Sequence, residues 1–416
     1  MRKSKQYLLL LFTFGLSKCV TFITPILFSN VVEVSSYGEI EYILSVGFLL
    51  AAPLSLGLHG SYPYFNLKLN RTGYRSLFEA HSLILVGVAM LALVGYLFMD
   101  NVLWLALALG GLVAIQLIKS SIQKSHEQIQ VASVLDSGVY YFLCIYLAIK
   151  SLLGMPFQVF DLVLPFGSYL FVMFIWSLKD YLTSKGDYNK KRYKESIAFG
   201  ITVVISGFLM NGLVMGGRVA VEYFLGFEQV AYYGFYFRLA AVIVIFHQII
   251  NIAFFKKIYQ SLPKTLDFYF SLLLLILIIG SVSLWWLVPM LFSSFFEVLR
   301  NTYTEFKWLY FIFAFYAVLW ISMALGENIV YREKLAGLLN RALVVLIFVV
   351  LCSLFLLNSL YGLDLHMLAM VFMIGIYLAC EIQHYLLRTK RSINLLRMRM
   401  VNRFIIVMFF IVYLVK

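Results

Sequence analysis

The chain has 416 residues, of which 62% are hydrophobic and 13% charged, with a formal net charge of +13. A soluble domain of this length would have almost no polar surface to offer water, so that class is excluded. A β-barrel is excluded too, because the apolar runs are about 20 residues long rather than alternating segments of about ten.

Twelve spans follow in chain order: 7–28, 37–58, 77–98, 102–118, 128–149, 157–178, 197–217, 231–254, 268–289, 308–326, 338–358 and 363–386. Arg2, Lys3 and Lys5 precede the first run, which continues to Phe28 with no small-residue cleavage site, so it reads as a retained helix. With the N-terminus inside, only Lys150, Arg218, Arg300 and Lys307 fall on outer segments. Lys18 and Arg238 fall within spans, and every other Lys or Arg except the terminal Lys416 falls inside. This asymmetry predicts a cytoplasmic N-terminus and explains the basic charge without nucleic acid. The Asn70-Arg71-Thr72 sequon then lies inside, where it would be silent. The longest basic segment, 179–195, has six spans on each side and reads as a joint between parallel repeats. The predicted organisation is a bundle over 1–178, a linker over 179–195, a second bundle over 196–387, and a basic segment with a short apolar tail over 388–416. The apolar part of that tail, 404–415, is too short to span upright and is expected to be interfacial or packed on the bundle.

Two stretches echo each other. Residues 25–50 and 217–255 each lead from an apolar helix through a polar link to a Tyr-Gly pair, Tyr37-Gly38 and Tyr233-Gly234, that opens the next helix. The first match, SSYGEIEYILSVGFLLAAPLSLGLHGSYPYF, ends its helix in Leu56-Gly57-Leu58. The second, MGGRVAVEYFLGFEQVAYYGFYFRLAAV, puts Gly217 where an Asp is common before the Arg, and its Tyr-Gly order is altered. In these features, and in a layout covering about 1–390, the chain resembles the polysaccharide flippases (O-antigen translocases) of the multidrug/oligosaccharidyl-lipid/polysaccharide exporter superfamily. The resemblance implies an all-α, MATE-like fold of two six-helix bundles around a V-shaped cavity. It also implies alternating access in a bacterial cytoplasmic (inner) membrane. The implied cargo is an undecaprenyl-pyrophosphate-linked oligosaccharide, with a polysaccharide polymerase and a chain-length regulator as companion proteins.

Charges inside spans are costly and mark pathways or pairs. Lys18, near the middle of the first span, either lines a cavity or pairs with an acid on a neighbouring helix. Arg218 and Arg238 suit a pyrophosphate, because a guanidinium binds two oxygens at once. Arg218 and Glu222 also stand four apart, so a helix-surface salt bridge is an equal reading. Glu41 reads as a counter-charge for Lys18 or Arg238, as a protonatable coupling site, or as a carboxylate at headgroup level. Asp136 and Glu381 are weaker candidates of the same kind. Asp161, Asp267 and Glu79 lie close to span ends and are expected to be solvated.

The six histidines, His59, His81, His126, His247, His366 and His384, show no metal-ligand spacing. Cys19, Cys144, Cys352 and Cys380 lie in apolar runs as packing residues. No catalytic constellation, cofactor motif or metal site emerges. Trp104, Trp176, Trp285, Trp286 and Trp308 furnish interfacial belts. The expected function is therefore a flippase. A cation-coupled drug exporter of the same superfamily is the first rival, and its cationic cargo would favour acidic cavity residues. A membrane polymerase or glycosyltransferase is the second, and it would need a sizeable outer loop.

Overall fold

The structure is a computed structural model, and it describes residues 2–68, 74–184, 189–247 and 261–415. Asn70-Arg71-Thr72, part of the basic joint and the end of the eighth predicted span lie outside these residues. Among the described residues the chain is helical, with no strand. The helices are α1 (Arg2–Phe28), α2 (Val34–Leu54), α3 (Leu58–Pro63), α4 (Arg75–Met99), α5 (Val102–Ser125), α6 (Ile129–Leu135), α7 (Gly138–Leu152), α8 (Val163–Thr183) and α9 (Lys190–Leu225). They continue as α10 (Phe227–Ala241), α11 (Pro263–Phe292), α12 (Glu297–Arg332), α13 (Ala336–Tyr361), α14 (Leu365–Arg391) and α15 (Leu396–Leu414). Nine of the described helices are long and apolar enough to cross a membrane, or ten if the bent pair α6–α7 is one span. The protein is an all-α, multi-pass membrane protein. Helices are the only open-ended way to cross hydrocarbon with every backbone group satisfied within the segment.

The chain divides into two compact units, Met1–Phe208 and Leu209–Lys416, at a point inside α9. In the first unit α5 is the central helix. It begins where the Asn101 side chain accepts from Leu103 N at 2.9 Å, taking up one of the free amides of the first turn. Its Gly110 lies against Leu50 of α2, and Gly47 of α2 lies against Leu109. A Cβ on Gly47 would sit 2.7 Å from Leu109, so the two helices approach through glycines, as membrane helices commonly do. The Leu56-Gly57-Leu58 step after α2 is a left-handed turn, with φ of 47° at Leu56 and 72° at Gly57. Gly57 there meets the backbone of Gly200, and a Cβ on it would stand 2.5 Å from that backbone. The Leu-Gly-Leu motif is thus a turn and a close contact in one.

The fifth predicted span is broken. It runs as α6 and α7, bent by 55° at Asp136 and Ser137. In the second unit α12 is the central helix, and every residue from Leu309 to Leu319 is buried. A helix apolar on all faces belongs in such a core. The C-terminal helix α15 winds from Leu396, well before the apolar tail, and buries Ile405 and Phe409 completely. It packs on α11, α12 and α14.

Candidate functional site

In the first unit, α1 presents a short polar row to the break between α6 and α7. Ser17 Oγ lies 3.0 Å from Tyr141 Oη, and Thr21 Oγ1 donates to Ser137 Oγ at 2.8 Å. Lys18 sits on the same turn. Phe28 ends the helix ten residues later, about 15 Å along at 1.5 Å per residue. The Lys18 ammonium lies 5.5 Å above the Phe14 ring. Among the described residues no carboxylate is in ion-pair reach of it. Asp136 is the acid whose field acts on it, from across the helix break. Asp136 itself is held by Lys124 at 2.9 Å. Glu41, fully buried in α2, accepts from the Tyr37 hydroxyl at 3.2 Å and is not the ion-pair partner of Lys18.

The acids expected at the solvated span ends are instead structural. Glu79 of α4 is fully buried, with its Oε2 2.5 Å from Lys119 Nζ of α5. Asp180 of α8 holds the same ammonium at 3.0 Å, and Arg75 reaches Asp180 at 3.3 Å. Trp176 covers Lys119 at 5.5 Å. Lys119, which hydropathy assigns to an inner loop, is as buried as any side chain in the protein. Two cations against two carboxylates make the cluster neutral, so three helices are tied together without a net buried charge. Asp161 accepts from Lys150, Tyr146 and the Gln158 amide, and half-buried it closes the loop before α8. Asp267, 6% exposed, accepts from the Arg397 and Met398 amides and thereby caps α15. Each apolar run stops at such a charge, so span-end acids look like loop residues until neighbouring spans are brought together. The usable signal was a Lys and two acids of opposite sign within three residues of the inner ends of three spans.

His59, on α3 outside the spans, has its Nδ1 3.0 Å from Ser55 Oγ. Burial, aided by the nearby Lys124 charge, pushes its pKa down to about 4 and keeps it neutral at physiological pH.

In the second unit, Arg218 of α9 is 2% exposed, and its guanidinium carbon lies 4.6 Å from the centre of the Phe237 ring. Phe237 meets Phe313, Tyr316 and Trp320, and Tyr316 donates to Leu213 O at 2.7 Å. The cation is thus enclosed by aromatic walls, a cation–π setting that strengthens when water is excluded. Arg218 does not form the salt bridge that its spacing to Glu222 allows, and Glu222 is half-buried with no ion pair among the described residues. Gly217 has a direct cause: a Cβ there would sit 2.1 Å from the Tyr233 hydroxyl. Tyr233, from the Tyr-Gly pair that opens α10, fills the space that a side chain at 217 would need. Arg238 is half-buried in the last turn of α10. Glu381 is held by Arg399 at 2.6 Å and Arg403 at 3.2 Å, and so anchors α15. A further acid, Glu327 of α12, accepts from Tyr331 of its own helix and has no cation partner among the described residues. Sequence reading passed over it because it lies at the inner end of a long span beside Arg332. No cluster of three or more metal-ligating side chains occurs among the described residues.

No family model and no curated protein matches the sequence. Among solved structures, the chain is similar to one described as the inward-facing conformation of a multidrug resistance MATE family transporter of the MOP superfamily. The TM-score is 0.53 at 14% identity, covering 90% of this chain and 94% of that chain. A eukaryotic MATE transporter, AtDTX14, is similar at a TM-score of 0.43 and 15% identity, over 96% of this chain and 99% of that one. The fold of this chain is therefore MATE-like.

Proposed function

We propose that this chain is a flippase that moves a lipid-linked oligosaccharide from the inner to the outer leaflet by alternating access. The observation that carries the reading is Lys18: an ammonium in an apolar helix with no ion-pair partner among the described residues, close to a polar row of Ser17, Thr21, Ser137 and Tyr141. A lone cation at such depth costs about 2.5–3.5 kcal/mol on insertion scales and is retained where it meets an anion or a path. A pyrophosphate headgroup supplies that anion while its polyprenyl tail stays in the bilayer. Arg218 and Arg238 are the proposed second-unit contacts, reached when the bundle changes state. Glu41 and Glu222 are proposed to balance charge along the path. Glu381 and Asp136 are engaged with cations of their own and are proposed to contribute indirectly.

The test is complementation of a strain lacking its flippase, with surface glycan measured at matched levels of folded protein. A charge-assisted contact is worth about 1.5–3 kcal/mol, so Lys18→Gln should reduce display more than about tenfold. Lys18→Arg should retain part of it, and full display by Lys18→Gln would sink the reading.

The second reading is a cation-coupled drug exporter. It is favoured by the MATE-like fold, by the buried carboxylate Glu41 and by the half-buried carboxylate Glu327. Drug resistance conferred on a susceptible host, with no glycan display, would select it.

Orientation is proposed from the charge asymmetry alone. Reporter fusions after Lys190 and Lys257 should read cytoplasmic, and one after Arg300 external.

A further inference from the structure

The lateral face between α13 and α14 carries a groove lined by none of the proposed headgroup contacts Lys18, Arg218 and Arg238. One part encloses about 620 Å3 and is walled by Val345, Val349, Leu378 and Tyr385, with Glu381 and Arg399 at its end. A further cavity of about 330 Å3 shares Val349 and Leu378 and continues past Leu356. Val345 and Val349 are 62% and 48% exposed, so the groove opens sideways along spans that lie in hydrocarbon. Whatever fills it comes from the bilayer.

The charged end is specific in sign. Arg399 donates to Glu381 Oε2 through Nε at 2.8 Å, its Nη2 lies 2.6 Å from the same oxygen, and Arg403 Nε donates to Glu381 Oε1 at 3.2 Å. Two guanidiniums on one carboxylate leave one net positive charge at the mouth of the groove. A guanidinium has five N–H donors, and those of Arg399 beyond its Glu381 contacts meet no other described group. The side chains of Arg399 and Arg403 are 27% and 53% exposed, so this charge is within reach of a ligand. Arg388, Lys390 and Arg391 end α14 on the same side.

We infer that the α13–α14 groove is a binding site for an anionic glycerophospholipid, with an acyl chain in the groove and the phosphate on Arg399 and Arg403. Basic pockets between membrane helices at the cytoplasmic boundary bind anionic headgroups in this way. A single phosphodiester charge matches the single net charge at the groove mouth, whereas a pyrophosphate brings more. Because α15 starts at Leu396 and is tied to α14 through Glu381, a bound phosphate would fasten α15 to α14 and couple the lipid to the packing of the second unit. The inference does not depend on what the protein transports.

The experiment uses the full chain in micelles containing equal phosphatidylglycerol and phosphatidylcholine, with retained lipids counted by native mass spectrometry. The wild type should retain phosphatidylglycerol in excess, by about fivefold for each arginine engaged. Arg399→Gln with Arg403→Gln and Glu381→Gln, which removes the charges together, should bring the ratio close to parity. Val349→Trp fills the groove from an exposed position without touching a charge, so it keeps the fold and should lower retention of phosphatidylglycerol. Equal retention of the two lipids by the wild type would overturn the inference, as would a Val349→Trp variant that retains phosphatidylglycerol like the wild type. Preferential retention of an added polyprenyl pyrophosphate would assign the groove to cargo and overturn it as well.

Discussion

Two lysines of the first unit, the half-buried Lys18 in the apolar α1 and the fully buried Lys119 in α5, have opposite surroundings. Lys119 has Glu79 at 2.5 Å, Asp180 at 3.0 Å and the Trp176 ring above it. Lys18 has a phenylalanine ring, a polar row on the next helix and no carboxylate in reach among the described residues. Depth in the sequence ranked them the other way, with Lys18 inside and Lys119 at a loop. The comparison teaches that surroundings rather than depth separate a structural cation from a functional one. A charge met by opposite charges on two neighbouring helices is part of the scaffold. A charge with no opposite charge in reach among the described residues is available for a ligand, and its cost has to be explained by use.

The largest effect that could break this comparison is at Lys119. Lys119→Met leaves Glu79 and Asp180 buried beside only Arg75, and removal of one partner from a buried ion group costs about 3–5 kcal/mol. The expected outcome is loss of the monodisperse peak in fluorescence-detected size exclusion, with little protein reaching the membrane. Lys18→Met should chromatograph like the wild type. If both variants fold equally well, the distinction between scaffold and site disappears.

Next in size is the exchange Lys18→Glu with Glu41→Lys. Since the two side chains do not pair, the swap should not restore glycan display to the single variants, and display should stay more than about tenfold below wild type. Recovery of display together with folding would show a pair, and would return Lys18 to the scaffold.

The spans were legible because hydropathy reads run length: each predicted span has a helix over at least part of its described residues, the fifth as the bent pair α6–α7, and nine or ten of the described helices are long and apolar enough to cross a membrane. What the helices do at their ends was not legible. Glu79 and Lys119 are the first charges at the inner ends of their runs and Asp180 follows Lys179 at the end of a third, so a window along the chain registers them as the onset of water. Only packing of α4, α5 and α8 shows that they meet. The α6–α7 break was hidden for a related reason: the sequence there carries Asp136-Ser137-Gly138, with no proline, and the bend is matched by the Thr21–Ser137 contact from another helix. At Arg218 the spacing to Glu222 left a helix-surface salt bridge and a ligand contact as equal readings, and it gave no sign that the guanidinium would lie over the Phe237 ring of the next helix. Gly217, a departure from the pattern the sequence otherwise resembles, became readable once Tyr233 was seen to occupy the space beside it.

The smallest effect sharpens the comparison from the Lys18 side. Asp136 is the acid whose field reaches Lys18, but its contact is with Lys124 at 2.9 Å, and those side chains are 29% and 51% exposed. Exposed pairs of this kind contribute about 0–1 kcal/mol, so Asp136→Asn should change the thermal midpoint by no more than a few degrees. Its effect on display separates two roles for Lys18. If Asp136 helps to hold the ammonium in place beside the break, display should fall by a few-fold while folding is unchanged. If Lys18 acts alone on the headgroup, removing a distant competitor for it should leave display unchanged or raise it slightly. A loss as deep as that of Lys18→Gln would mean that the acid and the lysine work as one unit across the α6–α7 break. The candidate site would then include Asp136 directly, and Lys18 would come to resemble Lys119 after all.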